Sequence, residues 1–298
     1  LEKDNVTYLL NSLKSKISEV EDQKTILHIL NSNYLLDKNK IDNLPIGLFG
    51  NLYSQELTFF LIKNNDFKNL KNIFNKCNLR IKKIISKHFL EGIRLIDGNT
   101  NLESFFAIEL SKKNSELIFF ENSALKFVQD FKFGTNLILN DISKIIGLDA
   151  KLVENILVNS KFSKENITSE YIESKFFEDQ NFRKIKKKLI LDIANARIQE
   201  LAEVIIFKNI NLKSFLTKKL PIFLKIDDTY TYNCFEDSYR SSFSNKKNFE
   251  LNFLKKYKIE ELYKCANSLV QYGWKKEAVP IVQEKKSIIA KIFEFFSS

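Results

Sequence analysis

The sequence contains no methionine, one tryptophan, two histidines, three prolines and seven glycines in 298 residues. So little proline and glycine excludes long flexible or low-complexity linkers. The three cysteines, Cys77, Cys234 and Cys265, are odd in number and far apart. They form neither a disulfide framework nor a metal spacing. His28 and His88 add too few ligands for a zinc site, so no metal is expected and a reducing compartment is. No apolar run approaches the roughly 20 residues of a spanning helix. No signal-peptide pattern is visible at Leu1. A chain that opens on leucine and has no methionine reads as one that begins inside a longer protein.

Arginine is scarce too, limited to Arg80, Arg94, Arg183, Arg197 and Arg240, so the net charge of +10 comes from lysine. Sequence-specific DNA readers depend on the planar arginine fork. Lysines scattered among asparagines read as a solvated surface from an AT-rich genome, and no nucleic-acid partner is expected. What is present is 44% hydrophobic content, enough for one large or two medium cores.

The spacing predicts a helix over 4–17, with Val6, Leu9, Leu10, Leu13 and Ile17 on one face and Asp4 as N-cap. Residues 25–36 read as a strand followed by a second extended piece, and Pro45–Gly50 as the clearest turn. A strand over 56–62, an amphipathic helix over 66–77 and a short strand over 80–85 complete a small α+β unit.

A second unit opens with three consecutive strands, 104–110, 116–121 and 124–131, a meander. A helix follows within 134–147 and stops at Gly147. Residues 148–180 are polar and helical in part. The longest helix is expected over 182–208, then a strand over 222–226, an ambiguous polar region to 248, and a helix over 259–272.

This order resembles the bacterial cell-division protein family FtsA, of the actin-like ATPase superfamily, from its inserted 1C subdomain to its C-terminus. Within residues 26–50, His28, Tyr34, Asp37, Asn43, Pro45, Gly47 and Gly50 sit where FtsA proteins have a strand with histidine, a "Y.iD" segment and an "nPiGl.G" turn. Residues 67–96 resemble the family's following helix and strand. Residues 134–148 (GTNLILNDISKIIGL) are similar to "GG..iT.DIa..l", with Gly134 and Asp141 as remnants of a nucleotide site. The resemblance implies an actin-like, ribonuclease-H-like fold of α+β and α/β character that lacks its N-terminal part and carries a small α+β insertion. It implies a 1C-like subdomain at 1–88, a remnant of domain 1A and crossover at 89–103, and domain 2 at 104–274, with 2B near 148–190 and 227–250.

The departures are informative. The family's second phosphate loop, "DiGgGTtdi", is replaced by ELSKKNSELIFF, with Glu109 at the aspartate position and no glycine behind it. Without glycines, backbone N–H groups cannot approach phosphates closely. Lys112 at the hairpin tip could attract an anion, but a solvated tip is the commoner outcome. The family's "lTGGga" loop falls on FLKIDDTY, where Asp227 and Asp228 would repel phosphate. ATP with Mg is therefore expected to bind weakly or not at all, and the chain is expected not to be an enzyme.

After Trp274, residues 275–286 read as a linker. Residues 287–298 (SIIAKIFEFFSS) then place Ile288, Ile289, Ile292, Phe293 and Phe296 on one helical stripe, flanked by Lys285, Lys286 and Lys291. Such a helix can lie in an anionic membrane surface. FtsA proteins end in one like it. The resemblance thus implies a peripheral adaptor on the cytoplasmic face of the inner membrane at the division site. It would tether the tubulin-like FtsZ-type polymer, self-associate into actin-like filaments and recruit later division proteins. Glu236, Asp237 and Arg240 lie nearest the family's polymer contact. The alternatives are an active ATPase or sugar kinase of the superfamily, which needs intact phosphate loops, and an actin-like adaptor of type IV pilus assembly.

Overall fold

A computed structural model describes residues 1–160, 162, 170–177, 182–245 and 249–278. The chain divides into two compact units, residues 1–86 with the stretch from Ser268 onward, and Lys87–Asn267.

The first unit is built from α1 (Lys3–Val20), β1 (Lys24–Leu36), β2 (Asn39–Ile41), β3 (Tyr53–Lys63) and α2 (Asn64–Lys76). The strands form an antiparallel sheet of order β2-β1-β3. Asp37 and Lys38 both have positive φ, 51° and 69°, the backbone of a two-residue hairpin turn. The Asp37 carboxylate accepts from the amides of Asn51 and Leu52, each at 2.8 Å. A Cβ on Gly50 would fall 2.5 Å from Leu36 Cδ1. One local turn thus explains why an aspartate and a glycine stand where the "Y.iD" and "nPiGl.G" segments have them.

Several local expectations change. Residues 25–36 are one continuous strand, interrupted by bulges between Ile26 and His28 and between Asn31 and Asn33. Asp4 lies in the first turn of α1, where its charge suits the helix N-terminus, and Glu2 occupies the cap position. Residues 80–85 form no strand. Their neighbourhood is held by side chains: the Ser86 amide donates to His28 Nε2 at 3.1 Å, and Lys83 Nζ pairs with Glu277 at 2.8 Å.

The second unit starts with α3 (Lys87–Gly98). It continues with β4 (Phe105–Leu110), β5 (Ser115–Glu121), β6 (Ala124–Phe131), α4 (Asn136–Ile146), α5 (Ala150–Asn159) and α6 (Lys187–Ala202). It ends with β7 (Ile222–Ile226), α7 (Thr229–Arg240), β8 (Leu251–Phe253) and the start of α8 (Ile259–Tyr272). The sheet order is β6-β5-β4-β7-β8. The pairs β4–β5 and β5–β6 are antiparallel, and β4–β7 and β7–β8 are parallel. A meander followed by a parallel crossover through helices is the ribonuclease-H-like sheet of actin-type domains, the fold expected from the sequence.

Both sheet faces are covered, so the strands read as nearly continuous apolar runs rather than alternating ones. Phe106, Ile108, Leu110, Leu117, Phe119 and Leu224 pack under α4, α5 and α6. On the other face Gly92 of α3 lets the helix approach β5, because a Cβ there would fall 2.0 Å from the Phe120 ring. The helix expected over 182–208 begins only at Lys187, runs to Ala202 and closes with a π-helical turn, Glu203–Phe207. With 16 residues it is shorter than α1, with 18. The ambiguous polar region resolves into α7, whose inward residues Thr231, Phe235 and Tyr239 follow a helical period despite its polar composition.

Candidate functional site

Three segments converge at the C-terminal ends of β4 and β7: the β4–β5 turn, the loop from β6 into α4, and the turn from β7 into α7. In a parallel crossover sheet this edge is where ligands bind. Here the backbone groups of the segments satisfy one another. The Thr135 amide donates to Ser111 O at 3.0 Å, and the Asn136 amide to Lys112 O at 2.9 Å. The Ser111 amide is used within the turn, by Asn114 O at 3.0 Å. Gly134 permits this closure, since a Cβ there would fall 2.0 Å from Ser111 O. The glycine expected to remain from a phosphate site therefore allows two loops to seal against each other.

The two aspartates complete the seal. Ser111 Oγ donates to Asp227 Oδ2 at 2.8 Å, and Thr135 Oγ1 to Asp228 Oδ2 at 3.0 Å. Asp228 is only 3% exposed. Burial pushes its carboxyl above the usual aspartate value, against the pull of Thr135 and Tyr230. Burial acts the same way on Asp227, but there the Ser111 hydroxyl and Lys225 win and hold the carboxyl below the usual value. Lys112, the expected anion attractor, lies 3.1 Å from Glu154 and over the Tyr230 ring. Amides already bonded to carbonyls, two carboxylates and a paired lysine do not fit a triphosphate.

Glu109 does not face this edge. It points to the sheet face under α3, where Lys225 Nζ approaches it at 2.8 Å. Burial raises its carboxyl despite that partner. Glu91, Glu109 and Glu116 bring their oxygens together there. The Lys87 ammonium lies 3.5 to 3.9 Å from all three, in the place a metal cation would take. Only the i,i+4 spacing of Lys87 and Glu91 on α3 is visible in the sequence; nothing there pairs Lys87 or Lys225 with Glu109 or Glu116, because these residues come from different elements.

Beside the sealed edge, a cavity of about 510 Å³ opens between α5 and α7. Leu157, Ser160, Phe162, Tyr230, Asn233 and Cys234 line it. The Ser160 hydroxyl is buried and has no hydrogen-bond partner among the described residues. The Cys234 thiol donates to Leu157 O at 3.1 Å, and burial pushes it up to about 11, which favours the protonated thiol. The sequence did not single out this wall.

The remaining expected site residues are dispersed. Asp141 lies on α4 and is held by Arg197 of α6, a pair that fastens two helices. Glu236 and Arg240 pair along α7 at 3.0 Å, with Arg240 also over the Phe253 ring, and Asp237 is exposed beside them. Ile288, Ile289, Ile292, Phe293, Phe296, Lys285, Lys286 and Lys291 lie outside the described residues. Among the described residues, no helix is long and apolar enough to cross a membrane.

No family model matches the chain. In sequence it is similar to cell division protein FtsA of Neisseria meningitidis serogroup B, 22% identical over 188 residues, which is 62% of this chain and 45% of that protein. It is similar over more of its length to FtsA of Buchnera aphidicola subsp. Acyrthosiphon pisum, 20% identical over 301 aligned residues, 95% of this chain and 70% of that protein. A solved PilM–PilN type IV pilus biogenesis complex aligns with 88% of this chain and 69% of its own at 9% identity, with a TM-score of 0.43. The match spans about half the length of the Neisseria relative. By sequence the chain is similar to FtsA proteins, and the strand order of its second unit is that of a ribonuclease-H-like sheet.

Proposed function

We propose that this protein is a cell-division adaptor of the FtsA type. It binds the tubulin-like division polymer and holds it to the inner membrane from the cytoplasmic side. It recruits later division proteins and does so without ATP turnover. The observation that carries the reading is the FtsA similarity along 95% of the chain. The amphipathic sequence 287–298 supports the membrane half. Full burial of each large apolar side chain is worth about 1.5–3 kcal/mol, so one partly inserted helix binds reversibly, and clustering on a polymer multiplies it. The closed edge around Ser111, Thr135 and Asp228 supports the non-catalytic half.

Three measurements on the full chain test this. Pelleting with anionic vesicles should be lost on deletion of 287–298, and co-pelleting with the tubulin-like polymer should survive that deletion. Pelleting that ignores the deletion rejects the anchor. Calorimetric titration with Mg-ATP should give no micromolar binding. A micromolar affinity would restore the ATPase reading, and the α5–α7 cavity would then be the place to look.

A further inference from the structure

Positive charge is concentrated in one stretch of the chain. From Phe67 to Ser86 there are five lysines, Arg80 and no carboxylate, a charge of +6 out of the chain's +10. The stretch covers most of α2 and runs past its end, and residues 71–80 are all exposed. Among the described residues, Lys68, Lys71, Lys76, Arg80 and Lys82 form no ion pair, whereas Lys83 is taken by Glu277 at 2.8 Å. The carboxylates nearest in the chain are at the other end of the helix. Asp66 is in its first turn, and ten residues of helix put it about 15 Å from Lys76. Asp22, whose carbonyl accepts from Asn64 Nδ2, lies at that same far end.

The basic stretch also holds an apolar knuckle. α2 closes in a Schellman motif: Asn78 takes a φ of 56°, its amide donates to Asn75 O, and the Leu79 amide donates to Phe74 O, each at 3.0 Å. This closure folds Leu79 back toward the turn that carries Ile73 and Phe74. The fold does not cover them. Ile73 is 60% exposed, Phe74 41% and Leu79 57%, and no residue of α2 is fully buried.

We propose that this end of α2 is a lipid-contact surface. Ile73, Phe74 and Leu79 enter the headgroup boundary of an anionic bilayer, and Lys76, Arg80 and Lys82 lie against its phosphates. Charge complementarity selects this occupant. Five of the six cations are lysines, whose ammonium groups are hydrated point charges suited to a fluid array of headgroups. Three part-exposed side chains fall well short of the about 800 Å² that each partner buries in a standard protein interface. Shallow insertion asks only for an apolar face with lysines beside it. Such a contact is too weak to pellet a chain by itself and serves to orient one already at the surface. Its residues are separate from 287–298, so it stands or falls on its own.

Cys77 lies within this knuckle and is exposed, while Cys234 and Cys265 are half-buried. A polarity-sensitive maleimide dye on the full chain therefore reports here, with the labelled Cys77→Ser chain as the background to subtract. At low ionic strength, vesicles of phosphatidylglycerol and phosphatidylethanolamine should shift the Cys77 emission to the blue, and vesicles of phosphatidylcholine should not. Each lysine or arginine near an anionic surface contributes about fivefold in binding. Lys76→Gln with Arg80→Gln should therefore raise the lipid concentration needed at least tenfold, and Ile73→Asn with Leu79→Asn should remove the shift. No shift with anionic vesicles, or a shift that both double variants leave unchanged, would overturn the proposal. A chain that pellets without the shift overturns it and leaves the 287–298 anchor standing. A shift that outlives deletion of 287–298 upholds the surface even where the anchor fails. A shift produced by poly-glutamate and not by vesicles would assign the surface to an acidic protein and overturn the lipid reading.

Discussion

The two units keep their sheets together in different ways. In the second, aromatic and aliphatic side chains fill both faces: Phe105, Phe106, Phe119, Phe120 and Leu224 are all fully buried. In residues 1–86 the fully buried aliphatic side chains are Val6, Leu10, Ile29 and Leu30, and almost as many polar ones, His28, Asn31 and Ser32, are buried beside them. No residue of α2 is fully buried, nor any of β3. The second sheet is stabilised mainly by apolar area removed from water. The first depends on polar clamps, Asp37 on two amides and Glu277 between His28 and Lys83. A clamp contributes less than a packed core but costs the full desolvation of its partners when broken.

The largest expected break is in the second unit. Phe119→Ala removes a ring stacked 4.8 Å from Phe106 and tilted at 4.6 Å from Phe215. It should destabilise that unit by about 3–5 kcal/mol, read as faster exchange of the β4–β6 amides with those of β1 and β3 unchanged. His28→Ala in the first unit leaves the Ser86 amide without its acceptor and Glu277 with Lys83 as its remaining side-chain donor. It should cost about 1–3 kcal/mol, read in the exchange of the Asn31 and Ala278 amides. Equal losses in both units from either variant would show that the two sheets are not held in different ways.

Acid sharpens the comparison. Burial raises the Glu277 carboxyl, but the His28 N–H and the Lys83 ammonium outweigh it and hold it below its ordinary value of 4.5. Its contribution is therefore present above pH 4.5 and lost as pH falls through the depressed value. Asp228 is the reverse: raised by burial above 3.8, its contribution is complete below 3.8 and lost as pH rises through the raised value. As pH falls below 4.5 the Asn31 and Ala278 amides should progressively lose protection, and Glu277→Gln should remove that pH dependence. Asp228 should cost the second unit nothing over the same range. The smallest effect belongs to Ile73→Ala on α2. That side chain is 60% exposed, and its loss should change stability by less than about 0.5 kcal/mol.

Much of this was legible because it is local. The meander over 105–131, β7 at 222–226 and α8 at 259–272 follow from hydrophobic periodicity and turn chemistry within a few residues of each element. Asn122 and Ser123, both at positive φ, close β5 onto β6 in a two-residue turn. The short strand over 80–85 failed because an apolar alternation needs a partner strand, and Ser86 and Lys83 are instead used as side-chain and amide clamps. Helix α7 escaped notice because its inward residues, Thr231 and Ser238 among them, carry hydroxyls and blur the apolar stripe.

The sequence by itself determined that no glycine follows Glu109 in the β4–β5 turn, and that carboxylates stand at Asp227 and Asp228. Only the tertiary structure decided how this edge closes: Thr135 and Asn136 spend their amides on Ser111 and Lys112 carbonyls, and Asp228 is buried against Thr135. Glu109 was likewise visible as a residue, while its strand register turned it toward Lys225 and Lys87 and away from the ligand edge. His28 and Glu277 meet across 249 positions of chain. The physical reason is the same in each case. Periodicity and turn propensity act over a few residues, whereas an isolated polar side chain finds its partner only when strand order and register bring distant segments together.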